Sequence, residues 1–494
     1  MISRFVATAQ SSPTWRHAVL FLEQRPTVRL GLAMAILTAS GLATGLAVGR
    51  APLPLAAGLA GALALFALVQ EPRIGVYATV AVAALLPFGV IPLPLGGVQF
   101  TFLDATLILT LFLWLARVML LPGQRLHVTW VGGLVLLFVG FTAVGFVNGL
   151  DYGIPAANVR LYAKSVVSIL FFFTTINCLR SPNDVRWLLA VLVAAGALAG
   201  AIGVGLYALS AERAISLLSL LGPLGYPTGG DVLRYLAESD RIRAVGTSID
   251  PNFFGAMLMV CGVFAATQVP APKPLVPRLF LVAALGPIGL ALLLSLSRSS
   301  WVGLAAGIVF VALLRYRRLW LLIVPAAAAV VLDIVPGLGN FTGHLLAGFI
   351  AQDRATLMRL GEYKDAFNLI AAYPWFGVGY GNPPSPDTYI GVSSLYLLLA
   401  ENAGLVGLAA YLAAVVGLFV YCLPVALGKG DELVSGLVLS CLACVFAALV
   451  AGIFDHHFVN IRVPHILALF WHFAGLAVLL TRFAPERSRA EEGT

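Results

Sequence analysis

Apolar residues run along this chain in long unbroken blocks, with polar residues gathered in the gaps between them. Leu134 to Val147 is one such block. Continuous runs of this kind predict helices that cross a bilayer, where the backbone must satisfy its own hydrogen bonds. A membrane β-barrel would show short alternating segments instead. The blocks predict about fourteen spans, near 28–48, 52–70, 75–96, 102–121, 128–147, 162–178, 187–209, 252–270, 279–296, 299–314, 318–335, 402–424, 433–453 and 461–481. The first two are rich in Ala and Gly and joined by a tight GRAPLP turn, so twelve or thirteen spans are also compatible with the pattern. The expected fold class is all-α: a polytopic helical membrane protein of about 12–14 transmembrane helices, with a long outer loop that carries short helices. Residues 1–27 are expected as a cytoplasmic tail, 28–481 as a single transmembrane domain and 482–494 as a second cytoplasmic tail. The N-terminal stretch has scattered arginines but no compact apolar core followed by small residues, so no removed leader is expected.

Composition agrees with the pattern: 60% of the 494 residues are hydrophobic and only 11% are charged. The basic excess, 30 Lys and Arg against 22 Asp and Glu, lies largely in short loops. That distribution reports membrane orientation and contact with membrane lipids, and it points to no nucleic-acid partner. With the N-terminus inside, every inner loop is basic: Arg73; Arg117 and Arg125; Arg180 and Arg186; Lys273 and Arg278; Arg315, Arg317 and Arg318; Lys429; and Arg482, Arg487 and Arg489. Two outer segments, about 210–251 and 336–401, then exceed ordinary connections. Within the second, DRATLMRLGEYKDAFNLIAAYP mixes charges with Leu357, Leu360, Phe367 and Ile370, which predicts an interfacial helix ending before Pro374. The five cysteines, Cys178, Cys261, Cys422, Cys441 and Cys444, lie in or beside apolar runs and are expected to pack, the C-x-x-C spacing of the last two included.

This orientation leaves Arg160, Lys164, Arg241, Arg243, Arg298, Arg354, Arg359 and Lys364 on the outer side, against the usual bias. Cations held at membrane depth are costly and mark ligands, counter-ions or paths. Arg160 and Lys164, four residues apart, share a helix face. Arg298 sits between two apolar runs with almost no loop, and Arg243 precedes Asp250-Pro251-Asn252, a turn that caps the next helix. Guanidinium forks around one outer cavity suit a diphosphate, while any single one of them could equally snorkel to lipid phosphates or pair with a nearby carboxylate. Near the last span stands Phe454-Asp455-His456-His457-Phe458-Val459-Asn460, with Arg462 and His465. Adjacent histidines diverge on a regular backbone, so no metal is expected on those two alone, and no cofactor. Two readings remain: one histidine acts as a base oriented by Asp455, or Asp455 and Asn460 are helix caps.

Four segments in order resemble the O-antigen ligase and polysaccharide polymerase superfamily of bacterial envelope enzymes. They are Arg243-Ala-Val-Gly-Thr with Asp250-Pro-Asn-Phe-Phe; Ser295-Leu-Ser-Arg298-Ser-Ser-Trp301; Arg359 and Tyr363 ahead of Tyr373-Pro-Trp-Phe-Gly-Val-Gly-Tyr-Gly381; and Ser394-Leu-Tyr-Leu-Leu-Leu-Ala-Glu401-Asn-Ala-Gly404. The resemblance covers roughly the C-terminal half. It implies an inverting, metal-independent glycosyltransferase of the multi-pass type in the bacterial inner membrane, with its site facing outward. Such an enzyme takes a glycan from an undecaprenyl diphosphate carrier and joins it to the hydroxyl of an acceptor glycan or lipid, as polymerase or ligase. It also implies that Arg298 and Arg359 bind the diphosphate, with Arg243 and Arg160 in second rank. Where many ligases have a His-Asn pair with a histidine base, this chain has Ser393 and Ser394. Serine is a poor base at neutral pH, so His456, His457 and Asp387 become the candidates for proton removal. The alternatives are a secondary transporter or flippase of envelope precursors, and a non-catalytic assembly subunit.

Overall fold

A computed structural model of the protein describes residues 61, 64–91, 99–120, 126–229, 233, 242–321, 323–324, 354–381, 392–428 and 430–484. Expected spans 28–48, 52–70 and 318–335 fall wholly or largely outside these residues. Each of the other eleven has a helix. In chain order the helices are α1 (Pro72–Leu85), α2 (Phe102–Leu120), α3 (Trp130–Asn148), α4 (Ala156–Cys178), α5 (Pro182–Ala208), α6 (Ala211–Ser219), α7 (Pro251–Gln268), α8 (Arg278–Leu294), α9 (Arg298–Leu314), α10 (Arg354–Ala372), α11 (Leu395–Leu427), α12 (Glu432–Phe454) and α13 (Pro464–Thr481). Eight of them are long and apolar enough to cross a membrane, and α1, α8 and α9 are shorter apolar helices. The described residues are all-α, as the apolar blocks predict.

The helices begin where the sequence supplies caps. Ser181 and Asp184 form a capping box at α5, Thr129 caps α3, Asp431 caps α12, and Asp250 caps α7 with Pro251 in the first turn. Basic residues at the ends remote from the proposed site bind helix C-terminal carbonyls, where the partial negative charge attracts them. Arg278 donates to Val269 and Ala271 after α7, Arg315 to Ala426 in the last turn of α11, and Arg482 to Ile176 near the end of α4.

The chain divides into two compact units, 1–76 with 109–126, and 77–108 with 127–494. In the first, Arg117 donates to the carbonyls of Val69 and Gln70. The second holds the core: α13 packs on α4 and α12, and α7 is enclosed by α8, α9 and α12. The α13 span is entirely buried. Cys261, Cys441 and Cys444 are buried among these helices, and the Cys444 thiol donates to the Val260 carbonyl.

Helix α11 starts at Leu395, seven residues before the expected 402, so Glu401 lies inside it rather than in the loop. The helix also breaks. Gly404 has φ 70° and ψ −179°, a conformation essentially restricted to glycine. The Pro374–Gly379 segment after α10 runs through the break: Val378 N donates to Glu401 O (2.7 Å), Gly379 N to Asn402 O (3.1 Å), Leu405 N to Pro374 O (2.7 Å) and Val406 N to Trp375 O (3.3 Å). Backbone groups freed by the break are thus satisfied by another piece of backbone. The stitch anchors the end of α10, the helix that carries Arg359.

Candidate functional site

The N-terminal ends of α7, α9, α11 and α13 and the C-terminal ends of α8 and α12 are brought to one side of the second unit, and the candidate chemistry collects there. Arg243 is held before α7 by two contacts: its Nε donates to the Ser295 carbonyl (2.8 Å) and a terminal nitrogen to Asn252 Oδ1 (2.6 Å). Asp250 takes the backbone N–H groups of Asn252 and Phe253 and so fixes the turn that carries Asn252. Arg298 opens α9 three residues after α8 ends, and this tight corner places Leu296 at φ 52°. Ser297 and Ser300 hydroxyls lie 2.9 Å apart beside it, and Ser299 reaches Asp455 Oδ2 at 3.4 Å. Arg359 is half-buried on α10. One turn later the same helix grips Ser393 twice: Ser393 N donates to Glu362 Oε2 and the Tyr363 hydroxyl to Ser393 O, both at 3.0 Å.

The cations share one electrostatic field. Burial pushes the Arg243 guanidinium down to about 10; Asp250 and Asp455 oppose the shift, and Arg298 and Arg359 add to it. It stays charged throughout the neutral range. Asp455, which ends α12, is buried with its carboxylate between both histidines. His457 Nε2 approaches Oδ2 at 2.9 Å and His456 Nδ1 approaches Oδ1 at 3.7 Å. Burial alone would raise this carboxyl, but His457, then His456 and Arg359, outweigh it and hold Asp455 well below the usual carboxylate range. His456 is pushed down, first by burial and then by His457 and Arg359, against the pull of Asp455. The Val392 backbone beside the ring also opposes the shift, and the His456 Nδ1 is buried without a hydrogen-bond partner. His456 therefore stands beside Ser393, and Leu395 N donating to Asp455 O (3.1 Å) ties the two segments together.

Of the residues singled out in the sequence, Arg243, Arg359, His456 and His457 gather around Asp455, and Arg298 acts on Arg243. Arg160 stands exposed on α4 and is not among the groups acting on Arg243 or Asp455. Lys164, on the same face, pairs with buried Asp104. Lys364 is exposed on α10, and Asp387 and Arg241 lie outside the described residues. Asp455 is the C-cap residue of α12, and its side chain accepts the His456 backbone N–H (2.9 Å) and meets the histidine rings; Asn460 accepts from Arg462 N in the turn before α13, whose N-cap is Val463. Sequence reasoning missed the Glu362–Tyr363 grip on Ser393 and the Ser299 contact to Asp455. His465, which the sequence reading placed in the same constellation, is buried with neither ring nitrogen hydrogen-bonded, its ring set against Phe88 and Phe253. Only the glycines around 377–404 signalled the break in α11.

One oxygen or nitrogen each from Asp455, His456 and His457 lie within 4.8 Å of one another, a spacing a metal ion could use. The expectation that the adjacent histidines diverge fails because residues 455–463 are not regular backbone, and Asp455 serves both rings.

Among the described residues, eight helices long enough to cross a membrane and three shorter apolar ones support a multi-pass membrane protein, with the basic and imidazole residues gathered at their ends. A family model described as O-antigen ligase matches residues 280–412, from α8 into α11, and this bears out the family resemblance. The match includes Arg298 and Arg359, while Arg243 and Asp455–His457 lie outside it. No curated protein matches the chain. The family match and the apolar helices together support a glycan-handling role at the membrane.

Proposed function

We propose that the protein transfers a glycan from an undecaprenyl diphosphate carrier to an acceptor hydroxyl at the outer face of the bacterial inner membrane, as polymerase or ligase. The observation that carries this reading is the gathering of Arg243, Arg298 and Arg359 in one field beside the Asp455–histidine group. The acceptor oxygen attacks the anomeric carbon from the side opposite the carrier, giving inversion. The bond from that carbon to the phosphate oxygen breaks, and its electron pair leaves with the diphosphate. Negative charge grows on the leaving group, so fixed guanidinium ions favour the transition state over the ground state. Arg298 and Arg359 take the diphosphate and Arg243 supports them; Arg160, exposed and apart, contributes least. His456 accepts the acceptor proton at Nδ1, its ring held between the Val392 backbone and Asp455. No step in this sequence of events requires a metal.

A flippase reading would draw on the break in α11, since broken helices with open carbonyls bind ions in transporters. Here the carbonyls of Glu401, Asn402, Pro374 and Trp375 already accept backbone N–H groups, which favours a structural break. The test is purified protein in lipid with an undecaprenyl diphosphate glycan. Arg298→Ala and Arg359→Ala should each lower release of carrier diphosphate by about 10²–10³-fold. Transfer at wild-type rate by both variants would leave a transporter or a non-catalytic subunit in its place.

A further inference from the structure

We infer that Asp455, His456 and His457 form a binding site for one divalent transition-metal ion of the zinc type, and that its occupancy shuts off transfer. Three features support binding. One ligand atom from each of the three residues can be chosen so that all lie within 4.8 Å of one another. A tetrahedral zinc ion with bonds near 2.0–2.1 Å needs its ligand atoms roughly 3.3 Å apart, so small side-chain shifts close the site. Second, Nδ1 of His456 and Nδ1 of His457 are buried without a hydrogen-bond partner, while His457 Nε2 lies 2.9 Å from the Asp455 carboxylate. Buried ring nitrogens are normally satisfied, and an ion shared by the two rings and the carboxylate would supply a missing partner. Third, the Val392 backbone stands beside the His456 ring and favours its charged form. A backbone partner outside the ring is the usual arrangement behind a metal-bound imidazole.

Two imidazoles and one carboxylate suit zinc and its neighbours rather than magnesium or calcium, and leave one position for water. Arg359 acts on both Asp455 and His456, and Arg243 feels Asp455, so these cations weaken binding without preventing it. Inhibition follows because the ion takes the Nδ1 lone pair of His456, and this half rests on the reading of His456 as the proton acceptor. Binding does not.

The experiment uses the full chain in lipid nanodiscs, without substrate. Co2+ is added first, for its visible absorption in tetrahedral N/O sites, and Zn2+ is then titrated against a chromophoric chelator. One equivalent should bind with a Co2+ band that Zn2+ displaces. Asp455→Asn and His457→Ala, checked for helix content and monodispersity, should lose at least the roughly ten- to hundredfold in affinity that an outer partner alone is worth. Arg359→Ala should bind the ion more tightly. A wild-type chain that gives no Co2+ band, or an affinity unchanged in all three variants, overturns the site and leaves the glycan-transfer reading untouched. Zn2+ bound there while transfer runs at full rate overturns the inhibition and removes His456 as the base.

Discussion

Replacing Gly404 with alanine is the sharpest test of how α10, and Arg359 with it, is held. A Cβ at position 404 would stand 2.1 Å from the Trp375 carbonyl oxygen, 2.3 Å from its carbon and 2.4 Å from Phe376 N, all backbone atoms that cannot rotate away. The backbone at φ 70°, ψ −179° adds about 1–3 kcal/mol of strain for any residue with a side chain. Relieving the clash breaks the two nearest bonds, Leu405 N to Pro374 O and Val406 N to Trp375 O, at about 0.5–1.5 kcal/mol each. The expected destabilisation is therefore about 2–6 kcal/mol. Thermal unfolding in detergent, followed by circular dichroism, reads it. Gly289→Ala is the control: it lies inside α8, its Cβ meets nothing within 4 Å, and alanine there should stabilise by up to about 1 kcal/mol. Because the stitch anchors α10, the folded fraction of Gly404→Ala should also bind donor more weakly. A midpoint equal to that of the control, with donor binding intact, would refute the account of the break.

Other outcomes follow from the same geometry. His456→Ala should lower the transfer rate by about 10²–10⁴-fold with little change in donor affinity, measured by single-turnover kinetics. Lys164→Ala strands the buried Asp104 carboxylate and should destabilise the fold by about 2–4 kcal/mol, short of the full cost of an unpaired buried charge because Lys164 reaches solvent; donor affinity in folded protein should be unchanged. Arg243 loses its charge only as pH rises through about 10, so donor binding should be level from neutral pH to 9 and weaken above it. A binding curve that breaks near pH 7 would show that other groups hold the donor. Tyr363→Phe loses the hydroxyl that donates to Ser393 O and should cost about 0.5–1.5 kcal/mol of stability, read by chemical denaturation.

The sequence by itself determined what depends on neighbours along the chain. Length and continuity of apolar blocks are local, and the blocks reproduced eleven described helices, most within a few residues at each end. Asp250 before α7 and Arg298 at the mouth of α9 were legible for the same reason, since caps and helix ends are written in consecutive residues. Where the outer cations would go was not legible. Lys164 and Arg298 carry the same charge and both border apolar runs, yet one is neutralised by Asp104 on α2 and the other faces a shared field with Arg243 and Arg359. Only the packing of α7, α9, α10 and α12 decides that Arg243, Arg359 and Asp455 meet. Gly404 shows the same division: a glycine in an apolar run announces a weak point, but whether the helix kinks or opens depends on Pro374–Gly379 arriving to bond the exposed backbone. Charge and hydropathy are properties of residues. Pairing and field strength decay with distance in space, and that distance is set only once the helices have packed.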